Sequence, residues 1–191
     1  MLISSWTQPS GYHRRCTNNL KHFDSVYFSQ VKNGFALIRP PGHHALRSEA
    51  CGYSFFNNVA IATRHLLNDY GLQRILIVDW DVHHGQGIQA EFYDDHRVVY
   101  LSIHRYENGR FWPHLAQSNW HYSGCESGAG TNVNVPLNET GLGDSDYFAI
   151  FSHIILPIAY QGEMCLSPTA YAWFTYVLGT LAEGRLALIY E

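Results

Sequence analysis

The sequence predicts an α/β domain with a mostly parallel central sheet, because short apolar strands alternate with segments of helical periodicity. Residues 75–80 (ILIVDW) and 98–103 (VVYLSI) read as buried strands. Residues 87–93 lie between them and have room for one or two turns of helix. A crossover of this kind pairs its two strands in parallel, and in such sheets functional residues gather at the carboxyl ends of the strands.

Length and composition narrow the class of protein. The 191 residues fit one domain, and 46% hydrophobic with 15% charged residues predicts a folded chain. A net charge of -4 argues against a nucleic-acid or anionic-membrane binder. Four cysteines without a CxxC pair favour a reducing compartment. The chain shows no membrane-span pattern and its apolar start lacks a signal peptide's basic region, so we expect a soluble intracellular protein.

The first half of the chain predicts one more strand and one helix. Residues 34–38 are a short apolar run that ends at Arg39-Pro40-Pro41-Gly42, where proline stops the ladder. Residues 58–70 have helical spacing, with Asn58 as the predicted N-cap. We expect Phe55-Phe56 and the apolar stripe of this helix to lie in the core.

The second half adds a loop, two helices and a strand. A stretch rich in Gly, Asn, Ser and aromatic residues is expected to form a long surface loop, and a Ser-Pro pair marks the start of the last helix. The predicted elements are a loop over residues 105–140, a helix over 144–160 kinked near Pro157, a helix from Ser167-Pro168 to about residue 182, and a final strand over 186–190.

The polar run after the strand at residues 75–80 carries the candidate chemistry. Because side chains alternate along an extended chain, Asp79, Asp81 and His83 can point the same way, and an Asp and a His two apart form a platform for Zn²⁺. The alternative is a set of polar strand-end residues that cap the next helix.

A second polar pair, His43-His44, follows a different strand. If the two strands are neighbours, both pairs face one crevice, where a histidine beside a metal-bound water can act as general base and acid. Asp79 could then orient an imidazole by accepting its N–H. The alternative is a loop pair satisfied by backbone carbonyls.

Several other residues near these pairs leave two interpretations open. His104 and Arg105 could contact a substrate or hold the long loop, and its aromatic residues could form a substrate rim or pack the loop. Cys51 is expected to be a buried structural thiol. The loop aromatics in question are Tyr106, Phe111, Trp112 and Trp120.

These motifs together resemble the zinc-dependent histone deacetylases, and class II most closely. Residues 104–113 (HRYENGRFWP) are similar to the first catalytic domain of the two-domain cytoplasmic members that act on tubulin. The resemblance covers residues 22–191, which leaves residues 1–21 as an irregular N-terminal segment. The other matching runs are Arg39-Pro40-Pro41-Gly42-His43-His44-Ala45, Gly52-Tyr53, Phe56-Asn57, Val78-Asp79-Trp80-Asp81-Val82-His83-His84-Gly85-Gln86 and Ser102-Ile103-His104-Arg105.

The resemblance implies a three-layer arginase/deacetylase-like fold, incomplete in this chain, and a role for each matching residue. It implies Zn²⁺ as cofactor, a structural K⁺, and acetylated lysine side chains of histones or tubulin as partners, with no direct nucleic acid and no membrane. It also implies a cytoplasmic or nuclear location. The implied roles are His44 as general acid-base residue with His43 and Asp79 as its partners; Asp81 and His83 as zinc ligands; Gln86 as a partner of the second histidine; Gly52, Tyr53 and Trp112 as tunnel wall; and Asp79, Asp81, His83, Ser102 and Ile103 as potassium site.

Three departures from the family pattern predict impaired or absent activity. The third zinc ligand, an Asp in a Ser-Ala-Gly-Phe-Asp-like segment, should follow the helix that ends near Gln161, but Gly162-Glu163-Met164 comes there instead. The oxyanion-stabilising Tyr of a Gly-Gly-Tyr motif is not reached before Glu191. Helices expected after residues 23–30 are missing. Asp144, Asp146 and Glu163 are the available substitutes for the Asp, but the first two fit a helix start better.

Four hypotheses follow for this chain. It is a zinc-dependent hydrolase of acetyl-lysine, a non-catalytic relative that binds acyl-lysine or a protein, or an unstable fragment with no independent role. The fourth hypothesis, a different metallohydrolase such as an arginase-like enzyme, requires further Asp ligands and ranks last.

Overall fold

The structure, a computed structural model, describes residues 2–4, 33–160 and 186–190. The irregular segment predicted for residues 1–21 and the helix predicted from Ser167-Pro168 lie mostly or wholly outside these residues. The described strands form one sheet in the order β2-β6-β1-β3-β4-β5, and each neighbouring pair is parallel. The strands are β1 (Leu2–Ser4), β2 (Asn33–Leu37), β3 (Ile75–Asp79), β4 (Val98–Arg105), β5 (Asn132–Leu137) and β6 (Leu186–Tyr190).

Helices cover both faces of this sheet, which confirms the predicted α/β class. A π-helical turn at Phe151–Ile155 separates the last two helices, so the predicted irregularity falls one turn before Pro157. Pro157 has no N–H to donate to the preceding turn, which disturbs the hydrogen-bond ladder there. The helices are α1 (Asn58–Asp69), α2 (Gln86–Phe92), α3 (Asp144–Ile150) and α4 (Leu156–Tyr160).

Two apolar clusters hold these layers together. Ile75 and Ile77 of β3 pack with α1 and α2, whereas Val78 belongs to a second cluster with Phe151 and Ile155. The switch from one cluster to the other along β3 follows from the alternation of side chains in a strand. The central strands are therefore apolar on both faces, as their continuous apolar sequences predict.

The structure corrects several of the predicted elements. The expected loop over residues 105–140 contains β5, which extends the sheet beside β4. The N-cap of α1 is Asn57, not Asn58, because the Asn57 side chain accepts the N–H of Ala60 at 3.0 Å. Phe55 and Phe56 are 55% and 50% exposed and do not belong to the core. The apolar stripe of α1 is buried as predicted.

The strands that precede the two histidine pairs do not meet the condition of being neighbours. β2 and β3 are not neighbours, because β6 and β1 lie between them. The loop after β2 therefore has to pass the ends of β6 and β1 to reach the carboxyl end of β3. Within the part of the chain that the structure describes, no helix combines the length and apolar character needed to cross a bilayer.

Asn57 joins α1 to the loop that carries His43 and His44, which gives a first prediction. Its side-chain oxygen caps α1 and its Nδ2 donates to the carbonyl of Ala45 at 3.1 Å. Asn57→Ala removes both bonds and should cost about 2 kcal/mol of unfolding free energy, half from the cap and half from the tie. Asn57→Asp keeps the cap acceptor and should cost about 1 kcal/mol. Urea unfolding measures both, and equal losses for the two variants would contradict the double role.

Candidate active site

The loop after β2 is docked on the first turn of α2. The backbone amides of Gly87 and Ile88 donate to the carbonyl of His43 at 3.0 and 3.3 Å. A Cβ on Gly87 would lie 2.2 Å from the carbonyl oxygen of Ala45, so only glycine permits this close approach. The loop thus places His43 and His44, both buried, above the carboxyl end of β3.

His43 is held by the carboxylate of Asp79. The Nδ1 of His43 donates to Oδ2 of Asp79 at 3.0 Å, and the hydroxyl of Tyr100 donates to the same oxygen at 2.9 Å. The amide of Asp81 donates to the other oxygen at 3.2 Å. Burial, followed by the charge of Asp79, raises the pKa of Tyr100 well above its usual value, so the phenol keeps the proton that it donates.

His44 is held by a neutral amide instead. Its Nδ1 donates to Oε1 of Gln86 at 2.9 Å, and Nε2 of Gln86 donates to the sulfur of Cys51 at 3.4 Å. Burial and the neighbouring His43, against the opposing effect of the Gln86 hydrogen bond, lower the pKa of His44 to about 3. The imidazole is therefore neutral at physiological pH and its Nε2 is a free base. Cys51 is only partly buried, which corrects its prediction as a buried thiol.

Asp81 and His83 lie together in the turn after β3. The strand ends at Asp79, so strand alternation does not align these side chains. The turn does so instead, because the amide of His83 donates to Oδ1 of Asp81 at 2.7 Å and its Nδ1 lies 3.2 Å from the same oxygen. Burial opposes ionisation of Asp81, but the hydrogen bond from His83 and the charge of His43 outweigh it and lower the pKa of Asp81.

This pair fits one edge of a zinc coordination tetrahedron. Two ligand atoms at Zn–N and Zn–O distances near 2.0 Å are separated by about 3.3 Å across a tetrahedral angle, and the observed N–O separation is 3.2 Å. A catalytic zinc site needs a third protein ligand. Among the described residues, no cluster of three or more His, Cys, Asp or Glu side chains offers one.

Aromatic rings line one side of these imidazoles. The Trp112 ring meets His44 edge-on with centroids 4.5 Å apart, and the Phe111 ring stacks on His83 at 5.2 Å. We call the rings of Phe111 and Trp112 the aromatic wall. A Cβ on Gly52 would lie 2.5 Å from both His44 and Trp112, so Gly52 packs tightly against the wall and the histidine. Tyr53 is 87% exposed. Of the three predicted tunnel residues, Gly52 and Trp112 contact each other at the histidines and Tyr53 lies on the surface.

A buried polar network below the site was not predicted. His84 donates from Nε2 to Oε1 of Gln89 at 2.9 Å, and its Nδ1 accepts from the hydroxyl of Ser118 at 2.8 Å. The amides of Asn132 and Asn134 donate to the same Gln89 oxygen at 3.0 and 2.9 Å. This network fixes the loop between β4 and β5. The sequence does carry a signal for this strand, because Asn and Val alternate over residues 132–135. The low strand propensity of Asn makes that signal easy to miss.

His104, at the end of β4, holds the long loop, which was one of the two roles considered for it. Its Nε2 donates to the carbonyl of Ser118 at 2.8 Å and its Nδ1 accepts from the hydroxyl of Ser102 at 2.8 Å, so it holds the loop. Arg105 lies over the Phe111 ring at 4.4 Å. Trp120 is 70% exposed, and its ring meets that of His121 edge-on. For the expected potassium site, Asp79 and Ser102 pair in register on β3 and β4, and both are buried.

Comparison with known proteins adds the following findings. The family model described as "Histone deacetylase domain" matches residues 12–184. The chain is 47% identical over 192 residues to the polyamine deacetylase HDAC10 of Rattus norvegicus, covering 90% of this chain and 33% of the relative. It is 46% identical to histone deacetylase 6 of Caenorhabditis elegans over 87% of this chain and 19% of the relative. It is 39% identical to histone deacetylase clr3 of Schizosaccharomyces pombe over 92% of this chain and 29% of the relative. The chain spans a third or less of each of these relatives.

The packing of Gly52 gives a second prediction. Gly52→Ala would add a methyl group into His44 and Trp112 at a backbone φ of 54°, whereas Gly141→Ala adds one at φ 82° with open space around it. Both variants should lose about 1–2 kcal/mol to the left-handed backbone, and Gly52→Ala a further 1–3 kcal/mol to overpacking. Thermal and urea unfolding compare them. Equal losses would show that the wall is not packed as described.

Burial of His104 gives a prediction about pH. Burial, against the opposing hydrogen bond to Ser118, lowers the pKa of His104 to about 4. Between about pH 6.5 and 4, His104 is protonated in the unfolded chain but stays neutral in the folded chain. The free energy of unfolding therefore falls as the pH drops toward 4, by on the order of 3 kcal/mol from this group. His104→Asn should show a shallower loss between pH 7.5 and 5 in urea unfolding, and the exposed His121→Gln should retain the parent slope. An unchanged slope in His104→Asn would refute the assignment.

Proposed function

Since the chain belongs to the histone deacetylase family, whose domain model matches residues 12–184, we propose that the described site is the acid–base part of a deacetylase centre for acetylated amines on flexible alkyl chains. The observation that carries this proposal is the pair of buried histidines, with ring centroids 3.8 Å apart, one anchored to a carboxylate and the other to an amide. Acetyl-lysine of histones or tubulin is the proposed substrate. The similarity to polyamine deacetylases supports acetylated polyamines as a second candidate.

The two histidines are anchored by different groups. His44 is neutral because burial and the neighbouring His43 lower its pKa, and its ring is hydrogen-bonded to the uncharged Gln86, so we assign it the role of general base toward a water molecule. His43 is hydrogen-bonded to the carboxylate of Asp79, which fixes the orientation of its ring beside His44. The rings of Trp112 and Phe111 would contact the alkyl stem of the substrate and exclude water from it.

The family is zinc-dependent, and Asp81 and His83 are the residues of this chain that would hold the metal. When bound, zinc polarises the acetyl carbonyl and lowers the pKa of a bound water. The structural potassium site is proposed to consist of Asp79, Asp81, His83, Ser102 and Ile103.

We further propose that this chain binds zinc weakly and has impaired activity. The third ligand of the family pattern falls between α4 and β6, and residues 161–185 contain no Asp and no His. Loss of one charged ligand should cost several kcal/mol out of the roughly 10–16 kcal/mol of a structural zinc site. The alternatives are a relative that binds acyl-lysine or a protein without hydrolysis, and an unstable chain. A cytoplasmic or nuclear location is proposed from the family alone.

Zinc stoichiometry of the purified chain, measured with a thermal melt, tests this proposal. We expect a cooperative melt, clearly less than one zinc per chain at micromolar metal, and at least about 100-fold slower hydrolysis of acetyl-lysine peptides and acetylated polyamines than a complete family member. One tightly bound zinc per chain with family-level activity would contradict the impairment, and absence of a melt would favour the unstable chain.

Binding tests the retained part of the site. Trp112→Ala should weaken binding of a fluorescent acetyl-lysine peptide at least tenfold, because it removes the ring against His44. Trp120→Ala, a change of the same type on the exposed part of the loop, is the matched control and should leave binding unchanged. Equal binding by both variants would remove the acyl-lysine site from the proposal.

A further inference from the structure

We propose that Phe111 and Arg105 are positioning residues that hold the imidazole of His83 in the orientation in which it meets Asp81. This inference rests on the proposed metal-binding role of the Asp81–His83 pair. It gives Phe111, already proposed to contact the alkyl stem of the substrate, a second role and adds Arg105 to the site, and in this role neither residue touches the metal.

His83 needs such support because its own anchoring is slight. Its side chain is 36% exposed, and it lies in a turn after the end of β3 rather than in the strand. Its ring makes one hydrogen bond of ordinary strength among the described contacts, at 3.2 Å to Asp81. A partly exposed imidazole with one such bond can rotate about its side-chain torsions, and every such rotation separates the two ligand atoms.

Phe111 fixes the plane of this ring. The two rings are stacked with centroids 5.2 Å apart and planes 12° apart. Trp112 meets the His83 ring edge-on at 5.4 Å and 83°. The His83 ring therefore packs against the face of Phe111 and the edge-on ring of Trp112. The hydrogen bond to Asp81 then determines which edge of the imidazole faces the carboxylate.

Arg105 fixes Phe111 in turn. Its guanidinium lies 4.4 Å from the centroid of Phe111 and forms an ion pair with Glu107. The backbone amide of Arg105 donates to the carbonyl of Val82 at 2.9 Å, which ties the end of β4 to the turn that carries His83. The last residue of β4 thus holds both the backbone before His83 and the ring stacked on it.

Zinc affinity of the full chain, measured by competition with a chelating indicator, tests the proposal. Phe111→Leu removes the aromatic face but keeps an apolar side chain, and it should weaken zinc binding about tenfold, the lower end of the effect of residues that orient metal ligands. Phe111→Tyr keeps the ring and should retain the parent affinity. Arg105→Lys keeps the charge but removes the guanidinium over the Phe111 ring, and a loss of zinc affinity of about threefold is expected. Trp120→Leu, which removes an exposed aromatic ring that meets another histidine, His121, edge-on, should leave zinc affinity unchanged.

A measurement without metal separates this inference from the proposed zinc binding. In the metal-free chain, the ring of Phe111 should shift the imidazole carbon-bound proton resonances of His83 upfield, and Phe111→Leu should return them toward those of an exposed histidine such as His121. Unchanged His83 resonances in Phe111→Leu, in a variant with a parent-like melt, would overturn the inference. If the parent chain binds no zinc but the resonances move as expected, the orienting role stands and the proposed metal site fails.

Discussion

The hydrogen bond between His43 and Asp79 is the contact on which the rest of the site depends. It is 3.0 Å long and both side chains are at least 98% buried, so the charge of Asp79 is held almost without water. A buried carboxylate is tolerated only when donors satisfy it, and His43, Tyr100 and the amide of Asp81 do so. A Cβ on Gly85 would lie 2.4 Å from Oδ2 of Asp79, which leaves room only for glycine there.

The position of the long loop depends on a second set of buried polar groups. The loop between β4 and β5 carries the aromatic rings of the site, and buried polar side chains hold it: His104 donates to the carbonyl of Ser118, and Gln89 and Asn134 donate to the carbonyl of Gln117. The donors of these amides are paired, whereas the side-chain oxygens of Asn132 and Asn134 have no hydrogen-bond partner among the described residues. The loop that carries Phe111 and Trp112 is therefore held by buried polar contacts as well as by the packing of the two rings on His83 and His44.

The apolar elements were predictable from the sequence and the polar ones were less so. Continuous apolar runs located β3 and β4 to within two residues, because burial on both faces leaves a local signal. β5 was missed because its inward residues are Asn132 and Asn134, whose burial depends on Gln89 far away in sequence. Asp81 and His83 do lie together, but a turn rather than strand alternation brings them together. The sequence left open whether β2 and β3 are neighbours, and they are not, because strand order is not encoded locally.

The proposed acid–base and metal-binding parts of the site share the end of β3, where Asp79 contacts both His43 and the amide of Asp81, but otherwise rest on different elements. His43 and His44 depend on the loop after β2, the first turn of α2 and the end of β3, all of which are present and mutually hydrogen-bonded. The metal-binding part would need, besides Asp81 and His83, a ligand from a segment that this sequence does not have between α4 and β6. Its absence therefore removes no described contact of the two histidines. Under the proposed assignment, the contacts of the two histidines and of the aromatic rings persist when metal affinity falls, so folding and zinc binding need not be lost together.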